Sequence, residues 1–391
     1  MPDVEQFYDY LKPLQDEMIE ELGTYVKCES GSREKDGVDR VGHLLSAAFR
    51  ELGFDIERIS ETECGDHLVA KRMGQGRGRL LALIHLDTTW PSGSIDENPF
   101  RVEDGKVYGP ATRDMKGGWV VLLWALRALR AAGWDGLAET TVFMTGDEEL
   151  GSPQGRPWIE KEAEHADWAL VMEPARDNAS MVTSRGMVGA VYFEVRGVAI
   201  HTTMRQNGGA SAILESAHKI LALEALTDVE RGILVSVGLI EGGTARQIMP
   251  DRVHMSIDVR APGVNEADEV MSKITEIAGQ TAVPGTSTIM TGGITRPAFE
   301  ATEASKRMLA LAQRNGLFFD QTIEGIYVRS GSDGNFTGAK GVPTLDGLGP
   351  ESSGDSGRGE HIVIESLPRR AAILAAVIAG LPGLLDEDKG K

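Results

Sequence analysis

One imidazole and several carboxylates stand at positions where they could act together. His85-Leu86-Asp87 ends the apolar run 80–84, and Asp114 lies in the glycine-bearing stretch 108–118. Asp147, Glu148 and Glu149 follow one another after the run 140–144, and Glu173-Pro174 closes the run 168–172. Neutral imidazole and carboxylate oxygen are ligands for divalent cations, and a carboxylate outside the ligand set can move a proton. Each segment alone has a plainer reading: a surface His–Asp pair, an N-cap for the helix after Asp114, a solvated acidic loop. Open α/β sheets place ligands at their strand ends, and four acid-bearing motifs there with one histidine among them point to a metal site.

The elements that must hold these groups are legible in the pattern. Residues 80–84, 140–144 and 168–172 read as short apolar strands of the kind buried on both faces of a parallel sheet. Residues 119–132 read as an apolar helix between the first two. Phe7, Leu11, Met18 and Leu22 recur at helical spacing and predict one amphipathic opening helix; Val38, Val41, Leu45 and Phe49 predict a second, stopped by Gly53. From about Gly186 the texture changes to strands 191–196, 233–239 and 254–260 with helices 210–223 and 265–279. After residue 295 the α/β texture returns, with helix 304–315, strand 343–345 and an apolar helix 368–381. The expected architecture is an α/β domain, 1–186 with 296–391, interrupted by a smaller α+β, ferredoxin-like domain at 187–295.

The chain has 391 residues, more than one core usually serves, with 40 Lys+Arg against 59 Asp+Glu and a net charge of −19. That balance, with no basic run, argues against nucleic acid as a partner. Two cysteines, Cys28 and Cys64, exclude a disulfide framework and fit a reducing compartment. The acidic N-terminus lacks a signal-peptide layout and no apolar run approaches the roughly 20 residues that span a bilayer. The expectation is a cytoplasmic enzyme without a membrane partner. His43, His67, His165, His218 and His254 have no motif around them and read as surface or packing residues.

The motifs HLD, YGPATRDMKGG, GDEELGS, MEP, GGTARQIMPD with DVR, and SGSDGNF with GVPTLDGLG run through nearly the whole chain. In this order they resemble the M20 metallopeptidases, a group with zinc-peptidase-like catalytic domains, and within it the glutamate carboxypeptidase-like branch. The resemblance implies two divalent ions, usually zinc, with manganese, cobalt or magnesium as alternatives. His85 and Glu173 would bind one ion, Asp114 would bridge, and Glu149 would bind the second. Glu148 would be the general base acting on metal-bound water, and Asp87 would orient His85. His201 would stabilise an oxyanion across a dimer of the inserted domains. Arg260, Arg296, Gln247 and the backbone at Gly331 would hold a substrate carboxylate, Gln247 standing where the motif usually has asparagine.

One departure concerns the final histidine ligand of the family. Counting back from Glu360, that position falls on Asp355 or Ser356, and His361 is displaced to the following aromatic position. Asp355 could complete the second site with oxygen, or be a solvated loop acid; Arg260 and Arg296 could equally be structural ion pairs. The implied activity is hydrolysis of the amide bond of a small N-acyl amino acid or dipeptide-like substrate with a free carboxylate. Two alternatives stay open at this stage: a single-metal hydrolase or deaminase acting on a non-peptide C–N bond, and a catalytically silent ligand-binding dimer.

Overall fold

The apolar run at 80–84 forms the strand Arg79–His85, and its alternating side chains feed two different cores. Leu80, Ala82 and Ile84 join one buried cluster and Leu81 and Leu83 another, as the two-residue period of a strand requires. This computed structural model describes residues 2–176, 179–354 and 357–387. The strand lies inside a six-stranded sheet ordered Asp55–Ile59, His67–Met73, Glu139–Thr145, Arg79–His85, Trp168–Val171, Thr344–Leu345. The last four are mutually parallel and the first two antiparallel, so the sheet is mixed.

Helices cover both faces. Lys35–Glu51, Gly117–Ala131 and Ser366–Glu387 pack in the first cluster, while Arg156–Ala163 and Gly334–Ala339 contribute to the second. Gly117–Ala131 is apolar almost all round because neighbours enclose it, with Trp119 to Leu126 wholly buried. A side chain at Gly118 would bring a Cβ to 2.1 Å from the Met172 carbonyl, so glycine is what lets this helix press against the strand end that leads to Glu173. Arg370, buried in Ser366–Glu387, donates to the carbonyls of Gly347, Gly349 and Ala179 and fixes the loop after Thr344–Leu345.

Two expectations about helices change. The opening helix is two, Val4–Leu11 and Gln15–Lys27, joined by a tight turn at Lys12–Leu14 that contains Pro13, whose nitrogen has no hydrogen to donate. Phe7, Leu11, Met18 and Leu22 nevertheless all reach the core. Ser366–Glu387 is long and apolar enough to cross a membrane, contrary to the reading that no run approaches that length. Some 78% of its apolar window is buried in the protein, the property of a core helix.

The chain divides into two compact units: Met1–Thr183 with Ala301–Tyr327 and Ser332–Lys391, and Ser184–Glu300 with Val328–Gly331. The second unit begins and ends within a few residues of the expected insert and also takes in Gly331. Its sheet is antiparallel, ordered Leu234–Gly242, Arg252–Ala261, Met187–Arg196, Ser287–Arg296, with helices Ala212–Glu224 and Val264–Gly279 packed against it. Chain order β-α-β-β-α-β in this arrangement is ferredoxin-like. The strand Ser287–Arg296 was absent from the sequence pattern, because Gly292 and Gly293 interrupt the alternation.

Candidate metal centre

Three parallel strands end side by side. In register, His85 is opposite Thr145 and Leu83 opposite Val171, so His85, the loop 146–151 and Glu173 leave the sheet at one edge. Asp114 arrives from the irregular turn Thr112–Lys116. His85 Nε2 lies 3.2 Å from Asp114 Oδ1 and 3.8 Å from Glu173 Oε1. The donor atoms of His85, Asp114 and Glu149 all lie within 4.8 Å of one another. On its other side the ring donates from Nδ1 to the Asp87 carbonyl, 2.9 Å away, with the Asp87 carboxylate at 3.5 Å. That bond turns Nε2 towards the carboxylates, the arrangement of a metal-binding histidine with its supporting partner.

Asp87 has a second task that the sequence did not show. Its carboxylate accepts the backbone N–H of Glu148 at 3.0 Å and of Glu149 at 3.1 Å, so one side chain fixes the loop carrying both acids. Asp147 is not part of a solvated acidic loop. It is fully buried and accepts from the backbone of Gln154 and Gly155, so the three successive acids divide into one structural group and two that face the site.

The charges explain why such a cluster calls for cations. Burial alone would lower the His85 pKa, but its bonds to Asp114 and Asp87 and the charge of Glu148 hold it well above the ordinary value. Burial opposes ionisation of Asp114, yet the bond to His85 keeps it below the usual carboxylate range. Glu149 is pushed up to about 8 by burial and by the charges of Glu148, Asp114 and Asp87. Glu173 is driven well above its ordinary value by burial and by Asp114 and Glu148. Without a cation these carboxylates compete for protons; divalent ions would relieve the same repulsion.

Asp114 is not an N-cap. The helix starts beyond it at Gly117, and its cap position is Lys116. What holds the Asp114 turn is Glu360, buried, accepting from the backbone of Arg113 at 2.8 Å and Asp114 at 3.3 Å and from Trp90 Nε1 at 2.6 Å. Burial pushes Glu360 up to about 7. In the sequence Glu360 served only as a marker for counting; its role follows from the pairing of His361–Val363 with Lys106–Tyr108, a contact of two short strands far apart in the chain. On the other side of the turn the buried Lys116 ammonium donates to the carbonyls of Tyr25 and Cys28. His361 stacks near Tyr108, their ring centroids 5.0 Å apart. Asp355 lies outside the described residues.

The other expected residues belong to the second unit. His201 is exposed at the start of the turn Thr202–Asn207, with Nδ1 2.8 Å from the Thr203 hydroxyl. Gln247 is exposed and its carbonyl accepts from the Thr202 N–H. Arg260 forms a two-pronged pair with Asp258 at 2.9 and 3.0 Å, which is the structural role the sequence left open for it. Arg296 is buried, its stem against Gly331.

Cys64, His67 and Asp147 make a second group of donor atoms within 4.8 Å, and its chemistry argues against an ion. The Gly146 N–H donates to His67 Nδ1 at 2.9 Å, so the ring hydrogen sits on Nε2 and leaves no lone pair there. Burial pushes the Cys64 thiol up to about 12 and His67 down to about 4. His67 is therefore a neutral packing residue that anchors Gly146. Its folded pKa of about 4 lies below the ordinary 6.5, so below pH 6.5 the unfolded chain binds a proton that the folded chain refuses. Stability from this residue is intact above pH 6.5 and falls towards pH 4, by about 3 kcal/mol at most. Denaturant unfolding of wild type and His67→Asn at pH 7 and pH 4 checks this: the wild type should lose more stability than the variant across that interval.

Known proteins resemble this chain in sequence and in fold. The sequence profile of peptidase family M20/M25/M40 matches residues 81–380. The chain is 31% identical over 373 residues to carboxypeptidase G2 of Pseudomonas sp. (strain RS-16), covering 93% of this chain and 89% of that one. It is 28% identical over 345 residues to acetylornithine deacetylase of Myxococcus xanthus, covering 81% and 84%. Its fold is similar to the aminopeptidase PepT of Bacillus cereus, with TM-score 0.75 at 20% identity over 94% of this chain and 98% of that one. It is also similar to YXEP of Bacillus subtilis, a dinuclear metal binding peptidase, with TM-score 0.68 at 13% identity over 95% and 99%.

Proposed function

The chain belongs to peptidase family M20/M25/M40, in its glutamate carboxypeptidase-like branch, and is a metallohydrolase; from that premise we propose that it cleaves the amide bond of a small N-acyl amino acid or dipeptide-like substrate bearing a free carboxylate. The observation that carries this reading is the meeting of His85, Asp114, Glu149 and Glu173 at one sheet edge, with Glu148 fixed beside them. The donor set suits two divalent ions, zinc foremost: His85 and Glu173 for one, Asp114 shared, Glu149 for the other. When bound, such ions polarise a carbonyl and acidify water. Glu148, its backbone held by Asp87, would take the proton of the attacking water and pass it to the leaving nitrogen. His201 would donate to the oxygen on which negative charge develops. Arg296, Gln247 and the Gly331 backbone would meet the substrate carboxylate, and Arg260 could do so only by exchanging Asp258 for it.

The test is a panel of N-acyl amino acids assayed with metal-loaded protein, each beside its C-terminal primary amide. Free acids should be turned over at least tenfold faster in kcat/KM. Equal rates would remove the carboxylate from the proposal, and no turnover of any compound would remove the reaction.

A homodimer is part of the same proposal. The edge strand Leu234–Gly242 exposes Leu239 at 66% and Ile240, and the helix Ala212–Glu224 exposes Ile213, Leu214 and Leu221, the last at 73%. An unpaired strand edge with apolar neighbours is a surface that a second copy would cover. Light scattering should give twice the chain mass for the wild type and the single-chain mass for the double variant Leu221→Glu, Leu239→Lys.

A further inference from the structure

Beside Glu149 the first unit holds a hollow of about 250 Å³ lined by Arg33, Thr88, Trp90, Pro91, Glu149 and Leu150. Its walls are fixed. Residues 31–34 form a tight turn closed by the Glu34 N–H on the Gly31 carbonyl at 2.8 Å. Both the N–H and the hydroxyl of Ser32 donate to the Thr88 carbonyl, at 3.0 and 2.9 Å. A Cβ on Gly31 would stand 3.0 Å from the Trp90 carbonyl, so glycine lets the turn close against the Thr88–Trp90 segment. The indole N–H of Trp90 is held by the buried Glu360, which sets its ring as one wall. The carboxylate of Glu34 is occupied by the backbone N–H and hydroxyl of Ser92. Arg33, exposed at the tip of the turn, has no carboxylate within ion-pair distance among the described residues.

We propose that this hollow receives the acyl portion of the substrate and selects acyl groups that end in a carboxylate, which Arg33 binds. The proposal rests on the amide-hydrolase reading, which gives the free carboxylate of the amino-acid portion its own partners and leaves the acyl group unassigned. The chain carries a net charge of −19, so a second carboxylate on the substrate is repelled by most of the surface and binds only where a local cation offsets that field. At this hollow, which Glu34 and Glu149 also line, the Arg33 guanidinium has no carboxylate within ion-pair distance among the described residues. A guanidinium offers two parallel N–H donors that match a carboxylate, and such a charge-assisted pair is stronger than a neutral contact. The Trp90 ring, Pro91 and Leu150 supply apolar area for the methylenes or flat body that precede that end. The volume suits one side-chain-sized group and not an extended peptide.

The test compares two substrates built on the amino acid turned over fastest: its N-glutaryl derivative and the neutral 4-carbamoylbutanoyl derivative of equal length. Wild type should favour the glutaryl compound in kcat/KM by about 10-fold to 100-fold, less at high salt. Arg33→Ala should abolish that preference by slowing the glutaryl compound alone, and Arg33→Lys should restore part of it. No preference in wild type, or equal losses for both compounds in Arg33→Ala, would overturn the proposal. Binding of both compounds to metal-loaded Glu148→Gln protein, followed by calorimetry, gives a reading independent of turnover. There Arg33→Ala should weaken only the glutaryl compound, by tenfold or more, and unchanged affinity would overturn the proposal. Absence of hydrolysis with this binding difference intact would instead count against the amide-hydrolase reading.

Discussion

Replacing Glu148 by glutamine is expected to lower kcat by about 10²-fold to 10⁴-fold while leaving metal content and thermal stability near those of the wild type. Glutamine keeps the shape and the backbone, so the two N–H groups that Asp87 accepts from residues 148 and 149 stay paired. What it removes is a carboxylate able to accept a proton from water and return it to nitrogen. The two neighbouring acids do not replace it: Asp147 is buried on the amides of Gln154 and Gly155, and Glu149 lies in the donor cluster with His85 and Asp114. KM should change little, because the lost interaction belongs to the transition state. Three outcomes separate the possible roles. A fall in kcat with ion content intact supports the proton-transfer role. Loss of an ion would make Glu148 a ligand, and unchanged turnover would remove it from the reaction.

Why part of this site could be read from the sequence follows from where its residues sit. His85 ends an apolar strand and Glu149 and Glu173 follow theirs by four residues and two, and a buried parallel strand is the easiest element to recognise. Asp114 was harder, since its turn has no periodicity and an acid before an apolar helix has an ordinary reading as a cap. Only the backbone path, with the helix starting at Gly117, removes that reading. Glu360 was out of reach. Its three donors come from Trp90, Arg113 and Asp114, about 250 residues away, and are brought to it by a pair of three-residue strands. Local pattern carries no information about such a closure. The same holds for His67, which has no motif around it yet receives the Gly146 N–H at the root of the acidic loop. In the second unit the strand Ser287–Arg296 was obscured by its own glycines, while Met187–Arg196 shows clean alternation and was found. Residues that support the site are less legible than the acids themselves because they act through backbone groups, to which any side-chain acceptor at the right place will serve.

Removing divalent ions with a chelator is expected to abolish turnover, and adding back zinc or manganese to restore it. Four carboxylates, from Asp114, Glu148, Glu149 and Glu173, surround one imidazole at the edge of the sheet. With the imidazole neutral, two divalent ions balance those four charges, whereas the ion-free protein balances them with protons. This makes a second, non-kinetic readout available. In the ion-free state burial and mutual repulsion raise Glu149 to about 8 and Glu173 well above its ordinary value, and His85 is likewise held above its own. At pH 7 these groups therefore carry protons that ion binding must displace. Calorimetric titration of the ion-free protein with zinc, run in buffers of different ionisation enthalpy, should show net proton release of at least one per chain. The sign of the pH dependence follows. As pH falls below about 8, a proton holds Glu149 more firmly and the apparent zinc affinity drops; as pH rises through that region, proton competition at Glu149 ends and the affinity increases. The stoichiometry in the same experiment reports whether one or two ions are held. Identical ion content and turnover before and after chelation, or zinc binding without proton release at pH 7, would show that these acids and His85 do not act as a shared ligand set.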